Sequence, residues 1–158
     1  MIVSTVKGDL IQRAKEGHYN AIVQGCNCFC KMGAGIAKQI KNEFPIAYQV
    51  DCETEEGDRS KLGDFTVATV YIGNAKWPVA IVNAYTQYDT ATVDDKSPVD
   101  YGAIAKVFIK INEDFTGEYI GIPKIGAGLA GGDWNIIKTL IDAVTPDVDI
   151  ELVEWDQE

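Results

Sequence analysis

The 158-residue sequence contains no apolar run that approaches the roughly 20 residues a membrane-spanning helix requires. Its first residues, MIVSTVKGDL, lack the basic segment and apolar run of an export signal. Basic residues are outnumbered, because 14 Lys and Arg stand against 24 Asp and Glu and give a net charge of −10. Since polyanions attract clustered cations, this balance disfavours nucleic acid and anionic membranes as partners. We expect a cytoplasmic protein with a small-molecule ligand.

Cysteine and histidine are also scarce. The sequence has four cysteines, at Cys26, Cys28, Cys30 and Cys52, and one histidine, His18. Without an export signal, a disulfide framework is not expected. Zinc sites favour C-x-x-C pairs, whereas three of these cysteines follow C-x-C-x-C and His18 has no ligand-like spacing to them. We therefore expect no metal and no cofactor, and the alternative for the thiols is packing beneath a loop.

The composition that remains is that of a globular protein, with 46% hydrophobic and 24% charged residues. A chain of this length buries enough apolar surface to fold as one domain, residues 1–158. Periodicity and turn residues predict strands at Ile2–Val6, Ala21–Gln24, Phe65–Ile72, Val79–Tyr85, Tyr119–Ile122 and Ile150–Trp155. They predict helices from Asp9 to Gly17, at Ile36–Phe44, at Ala47–Glu56, from Pro98 onward and at Trp134–Val144. This alternation predicts an α/β fold with a mixed, mostly parallel sheet between helices.

Two glycine-rich segments each follow a predicted strand and precede a predicted helix. Loop one is Gly25–Gly35, and loop two is Ile125–Gly132. Free amides and the positive end of a helix dipole bind anions there, and two such sites suit a diphosphate. Either loop alone is equally typical of helix caps and tight turns. Neither has the P-loop pattern, and G-x-G-x-x-G does not follow the first strand, which disfavours a nucleoside triphosphatase and a simple dehydrogenase.

Three strings of residues together resemble one known family. They are VKGD at 6–9, IVQGCN at 22–27 running to MGAGIA at 32–37, and IPKIGAGLAGGDW at 122–134. In this order, over nearly the whole chain, they resemble a macrodomain. The chain is similar in particular to the subgroup with the yeast-type ADP-ribose 1''-phosphate phosphatase and the terminal ADP-ribose protein glycohydrolase, which has stand-alone relatives in phages and bacteria. The resemblance implies a three-layer α/β/α macrodomain with an ADP-ribose site.

The resemblance also implies roles for matching residues. Asp9, followed by Leu10, accepts a hydrogen bond from the adenine amine, and it is compatible with a helix cap partnered by Gln12. Asn27 holds the distal ribose near the reacting carbon, because an amide offers both a donor and an acceptor. The two loops supply the rest: Gly33, Ala34, Gly35 and Ile36 around the distal ribose, and Gly126, Ala127, Gly128, Leu129, Ala130 and Gly131 around the diphosphate. Core packing is the alternative for Ile36 and Leu129.

The sequence departs from the family at two catalytic positions. The family's glycohydrolase uses a strand lysine that attacks the ribose and an aspartate in the second loop, and the closest positions here are Gln87 and Ala130. An amide cannot form a Schiff base, so that covalent mechanism is not expected. Asp133 is the remaining carboxylate that can serve as an acid or base, and its alternative role is a helix N-cap.

Three functions follow from this combination. The expected one is a monomeric phosphatase that converts ADP-ribose 1''-phosphate to ADP-ribose with Asn27 and Asp133. The second is an ADP-ribose-binding module without turnover. The third is a noncovalent hydrolase that removes ADP-ribose from protein or nucleic acid, although the net charge of −10 weighs against a nucleic-acid conjugate.

Overall fold

A computed structural model describes residues 1–90, 98–128 and 130–155, and strands and helices alternate along them. The strands are β1 (Ile2–Gly8), β2 (Ala21–Cys26), β3 (Phe65–Ile72), β4 (Trp77–Tyr85), β5 (Tyr119–Ile122) and β6 (Asp149–Trp155). The α-helices are α1 (Leu10–Lys15), α2 (Gly35–Glu43), α3 (Pro45–Cys52), α4 (Tyr101–Asp114) and α5 (Trp134–Val144). A short 3-10 helix, Arg59–Lys61, lies within the segment 57–63 that the sequence predicts as a polar turn.

The six strands form one sheet in the order β1-β6-β5-β2-β4-β3. All neighbours are parallel except β3 and β4, which pair antiparallel, as two consecutive strands joined by a short turn are expected to do. The five parallel strands therefore end along one edge of the sheet, which we call the carboxyl edge. Both glycine-rich loops leave from this edge, loop one after β2 and loop two after β5.

Helices cover both faces of the sheet, so the predicted three-layer α/β/α architecture is confirmed. One face is packed by α4 and α5, whose buried residues Phe108 and Ile141 contact the core beside Val23. The other face is packed by α1, α2 and α3, where Ile40 lies in a second core with Ile22. Ile22 and Val23 enter opposite cores because successive side chains of a strand point to opposite faces. No helix of the described ranges has the length and apolarity needed to cross a membrane.

Two helical predictions need correction. Helix α4 begins at Tyr101 rather than at Pro98, because the Asp100 carboxylate accepts a hydrogen bond from the Ala103 amide at 2.9 Å and caps the helix there. In α5, the helical spacing of the apolar residues predicts that Ile136 faces inward beside Ile137, but Ile136 is 47% exposed. Only one side of α5 packs against the sheet. Ile136 and Ile137 are adjacent, and the sequence pattern alone does not show which of the two lies on that side.

Several strands are longer than predicted. β1 runs two residues further, to Gly8, and β2 also runs two residues further, to Cys26. The added residues pair in register with β6 and β4, Gly8 opposite Trp155 and Cys26 opposite Tyr85. The extra length carries Asp9 and Asn27 to the carboxyl edge. The polar composition of residues 86–97 predicts an irregular connection, and this segment falls largely outside the described residues.

A buried carboxylate joins α1 to the sheet. Glu151 of β6 accepts hydrogen bonds from Arg13 Nη2 at 2.6 Å, from Tyr19 Oη at 2.6 Å and from Tyr119 Oη at 2.9 Å. Burial raises the pKa of a carboxyl group, but here the bonds from Tyr19, Tyr119 and Arg13 outweigh it and lower the pKa of Glu151 to about 2. Glu151 therefore stays ionised, and its partners hold α1 in place beside the carboxyl edge.

Candidate functional site

A cavity of about 1210 Å³ lies at the carboxyl edge. Its walls come from the ends of β1, β6, β5, β2 and β4 and from both glycine-rich loops. Asp9 follows β1 and Asn27 follows β2, and these strands are separated by three strand spacings, or about 14 Å across the sheet. The cavity therefore has an end near Asp9, a middle between the loops and an end at loop one.

Asn27 organises loop one. Its side chain is buried, with 6% of the residue exposed, and borders the cavity. The Oδ1 atom accepts from the amides of Phe29 at 2.9 Å and Lys31 at 3.4 Å, and Nδ2 donates to the Lys31 carbonyl at 2.8 Å. These bonds close a turn from 27 to 31. One Nδ2 hydrogen remains for the predicted contact with a ribose hydroxyl.

The N-terminus of α2 is open to the cavity. Its N-cap residue is Ala34, whose side chain makes no capping hydrogen bond. The first three amides of the helix, those of Gly35, Ile36 and Ala37, have no acceptor within the described part of the chain. A Cβ built on Gly33 or Gly35 would meet no atom within 4 Å. Backbone donors and the positive end of the helix dipole therefore face empty space, as an anion-binding site requires.

Loop two is built differently. Its backbone bonds to itself, with the Gly132 amide donating to the Gly126 carbonyl at 2.7 Å and the Gly131 amide to the Gly128 carbonyl at 3.0 Å. Gly126 has a φ of +77°, and a Cβ on Gly132 would lie 2.6 Å from the Gly126 carbonyl oxygen. Only glycine fits at these two positions of the loop.

The predicted loop-two residues lie at different places. Gly126, Ala127, Gly128 and Ala130 border the cavity, as Gly33, Ala34, Gly35 and Ile36 of loop one do. Gly131 is exposed and does not border the cavity. Leu129 lies outside the described residues.

Asp133 is an N-cap. Its carboxylate accepts from the Asn135 amide at 2.9 Å at the start of α5, and it is not among the residues that border the cavity. Because this carboxylate occupies the N-terminus of α5, loop two does not repeat the open helix end of loop one. The expectation of two equivalent helix-end anion sites is therefore corrected.

At the other end of the cavity, Asp9 caps α1 and borders the cavity. Its Oδ1 atom accepts from the Gln12 amide at 3.1 Å, and Oδ2 has no donor among the described residues. The predicted capping box is only half formed, because the Asp9 amide makes no bond to the Gln12 side chain among the described residues, while Gln12 Nε2 donates to Glu16 at 3.1 Å. Leu10 is buried with 3% exposed and contributes one wall.

Sequence reasoning missed several residues of this end. Trp155 at the end of β6 pairs with Gly8 and borders the cavity beside Asp9. Lys124 and Glu154 also border it, with Lys124 Nζ 3.6 Å from Glu154 Oε1. The pairing of β6 with β1 brings these residues to the site, and a pairing between the first and last strands has no local signal in the sequence.

The structure also locates the Gln87 side chain and the cysteine thiols. Gln87 borders the cavity at the end of β4, and its Nε2 donates to the Asp89 carbonyl at 2.6 Å. The thiols of Cys26 and Cys28 are buried, and burial raises the pKa of each. The part of the chain that the structure describes contains no group of three or more His, Cys, Asp or Glu residues arranged for a metal ion.

Comparison with known proteins agrees with this architecture. The family model described as the Macro domain matches residues 23–141, so the chain belongs to the Macro domain family. An uncharacterized 17.5 kDa protein from the tk-vs intergenic region of Enterobacteria phage T4 is 34% identical, with 99% of this chain and 98% of that protein covered. The DNA ADP-ribosyl glycohydrolase of Mycobacterium tuberculosis is 28% identical over 151 residues, which are 90% of this chain but only 39% of that protein.

Solved structures show the same fold. The macrodomain of Thermus aquaticus DarG superposes with a TM-score of 0.70 at 25% identity, and 97% of each chain is covered. A Thermosipho africanus DarTG structure in complex with ADP-ribose has a TM-score of 0.74 at 15% identity, with 99% of this chain and 43% of that chain covered. At that identity, the second comparison supports the fold alone.

Proposed function

We propose that the cavity binds ADP-ribose and that the protein hydrolyses ADP-ribose 1''-phosphate to ADP-ribose and phosphate. The adenine lies at the Asp9 end, the diphosphate between the loops and the distal ribose at loop one. The observation that carries the proposal is the continuity of the cavity from a free carboxylate oxygen at Asp9 to the uncapped amides of α2.

The Asp9 end suits an adenine ring. The free Oδ2 atom of Asp9 is an acceptor for the exocyclic amine, while Oδ1 remains bonded to the helix. Trp155 offers an aromatic surface on the same wall for stacking. An adenine ring placed there is contacted on one edge by the charged Asp9 acceptor and on one face by the apolar surface of Trp155.

The loop-one end suits phosphate hydrolysis. Within the described residues, the carboxylates that border the cavity are Asp9 and Glu154, and both lie at the opposite end. Phosphoryl transfer passes through a loose transition state that needs positioning and charge stabilisation more than covalent chemistry. The amides of Gly35, Ile36 and Ala37 supply such stabilisation where the 1''-phosphate would lie. Asp133 is not part of this proposal because its carboxylate caps α5.

A second function has its own support. The Mycobacterium tuberculosis relative is named a DNA ADP-ribosyl glycohydrolase, and it is 28% identical to this chain. Removal of ADP-ribose from nucleic acid would use the same adenine and diphosphate contacts. It would proceed without a covalent enzyme intermediate at Gln87, because an amide is not a nucleophile for the ribose carbon.

Calorimetry tests the binding part of the proposal. ADP-ribose should bind more tightly than AMP or ribose 5-phosphate, because neither smaller ligand spans the cavity. Asp9→Ala should weaken ADP-ribose binding by about 1.5–3 kcal/mol, the range for a hydrogen bond to a charged group. The matched control is Asp133→Ala, which also removes an N-cap aspartate but lies outside the cavity, and it should leave affinity intact. Equal losses in the two variants would contradict the adenine contact.

Turnover separates the functions. Purified protein is incubated with ADP-ribose 1''-phosphate and, in parallel, with an oligonucleotide that carries ADP-ribose on a base. Release of inorganic phosphate supports the phosphatase, and release of ADP-ribose from the oligonucleotide supports the glycohydrolase. Tight binding of ADP-ribose without either release would identify a binding module.

A further inference from the structure

Charge is distributed unevenly along the cavity. Four of the charged residues that border it, Lys7, Asp9, Lys124 and Glu154, lie at the Asp9 end, where Lys124 pairs with Glu154. Lys31 lies at the other end, on loop one. Within the described chain, no carboxylate oxygen lies within 4 Å of Lys31 Nζ, so its charge is not neutralised by an ion pair.

The backbone of Lys31 is held in place by Asn27. The buried Asn27 side chain bonds to both the amide and the carbonyl of Lys31, at 3.4 Å and 2.8 Å. A buried amide that makes both bonds to one residue restricts where that residue's side chain can begin. Asn27 therefore acts as a positioning residue for Lys31, in addition to any contact with the ribose.

The ammonium group of Lys31 is held only weakly. It lies 5.8 Å from the centroid of the Phe29 ring, and the residue is exposed. A cation–π contact at an exposed position contributes about 0.5–1 kcal/mol, which a phosphate oxygen replaces easily. The backbone of Lys31 is thus fixed while its charge is free to turn toward a ligand.

We propose that Lys31 recognises the group attached to C1'' of the distal ribose and gives the cavity a preference for an anionic substituent there. The uncapped amides at the start of α2 lie on the same loop and favour the same charge. ADP-ribose has a neutral hydroxyl at this carbon, whereas ADP-ribose 1''-phosphate has a phosphate with up to two negative charges. This inference rests on the proposed placement of the distal ribose at loop one.

The test compares two ligands that differ only at C1''. One is ADP-ribose, and the other is its 1''-phosphonomethyl analogue, in which a carbon replaces the bridging oxygen so that hydrolysis is blocked. Calorimetry measures both with wild type, Lys31→Met, Lys31→Arg and Lys38→Met. Lys38 is the matched control, because it is an exposed lysine of α2 that does not border the cavity.

We expect Lys31→Met to weaken the phosphonate about fivefold, the upper range for an exposed ion pair, and to change ADP-ribose affinity less than about twofold. Lys31→Arg should retain the preference, and Lys38→Met should resemble wild type. The preference should shrink as salt rises, because exposed charges are screened. Asn27→Ala should lower the ratio of the two affinities toward that of Lys31→Met, a change that general destabilisation of the fold does not produce.

Other outcomes overturn the inference. Wild type could bind the two ligands with equal affinity, or Lys31→Met could weaken both equally. Either result would exclude Lys31 as the residue that recognises the C1'' substituent, while leaving ADP-ribose binding intact. A wild-type protein that binds neither ligand would overturn the proposed function as well.

Discussion

The two glycine-rich loops look alike in sequence but differ in how they are held. Loop one has an uncapped helix behind it, and a buried side chain, Asn27, holds its turn. Loop two has a capped helix behind it, with Asp133 on the Asn135 amide, and its own backbone holds its turn. The comparison shows that glycine serves two different needs. At Gly33 and Gly35 of loop one the missing side chain leaves open space, and at Gly132 of loop two it allows close contact within the protein.

The largest expected effect is on the stability of loop two. Gly132→Ala places a Cβ 2.6 Å from the Gly126 carbonyl oxygen, and backbone must move to relieve the clash. We expect a loss of about 3 kcal/mol in the free energy of unfolding, measured by urea denaturation. The control is Gly128→Ala in the same loop, where a Cβ meets no atom within 4 Å and stability should change by less than about 1 kcal/mol. Similar losses in both variants would contradict this description of loop two.

Loop one should respond to the loss of one side chain rather than to a clash. Asn27→Ala removes three hydrogen bonds to the backbone of Phe29 and Lys31. We expect a loss of about 2 kcal/mol in stability, together with weaker ADP-ribose binding, measured by denaturation and calorimetry. Gln87→Ala is the comparison, since this cavity amide makes one backbone bond, and it should cost about 1 kcal/mol. An Asn27→Ala protein as stable as wild type would show that loop one does not depend on this side chain.

A third change makes loop one resemble loop two. Ala34→Asp puts an aspartate at the open N-cap of α2, where it should bond to the free amides and raise stability by about 1 kcal/mol. The same carboxylate should compete with a 1''-phosphate for these amides and weaken binding of the 1''-phosphonomethyl analogue about tenfold, or about 1.4 kcal/mol, while ADP-ribose, which has a neutral hydroxyl there, should lose less affinity. Ala34→Asn separates the effects, because it caps almost as well without a charge. If Ala34→Asp left the affinity for the phosphonate unchanged, the helix end would not be the site of the 1''-phosphate.

The smallest expected effect concerns Asp133. Asp133→Asn keeps the capping ability and removes the carboxylate, so stability should change by only a few tenths of a kcal/mol. Since the carboxylate does not border the cavity, phosphate release from ADP-ribose 1''-phosphate should stay within about twofold of wild type. A hundredfold loss of turnover at an unchanged melting temperature would instead support Asp133 as a general acid or base.

Much of the fold could be predicted because it rests on local patterns. Alternating apolar residues at Phe65–Ile72 and the helical pattern at Trp134–Val144 match the structure at both ends. The errors occur where two local signals compete. Pro98 and Asp100 both suit a helix start, and the carboxylate cap at Asp100 decided it. At the site, the bonds of Asn27 to Lys31 could not be predicted, since an asparagine gives no sign of whether it bonds to a ligand or to its own loop.

The sequence by itself determined the α/β class and the two loops, because strand, glycine and helix signals act over short stretches of chain, and most of the ligand-binding residues that it predicted border the cavity. Only the tertiary structure decided which of these parts meet at the site. The pairing of β6 with β1 brings Trp155 beside Asp9, although more than 140 residues separate them in the chain. The caps themselves are local signals, because Asp133 can accept from a helix amide whereas Ala34 cannot. The strand order decides that both loops meet at one cavity, since it places β5 beside β2, and no short stretch of sequence contains that order.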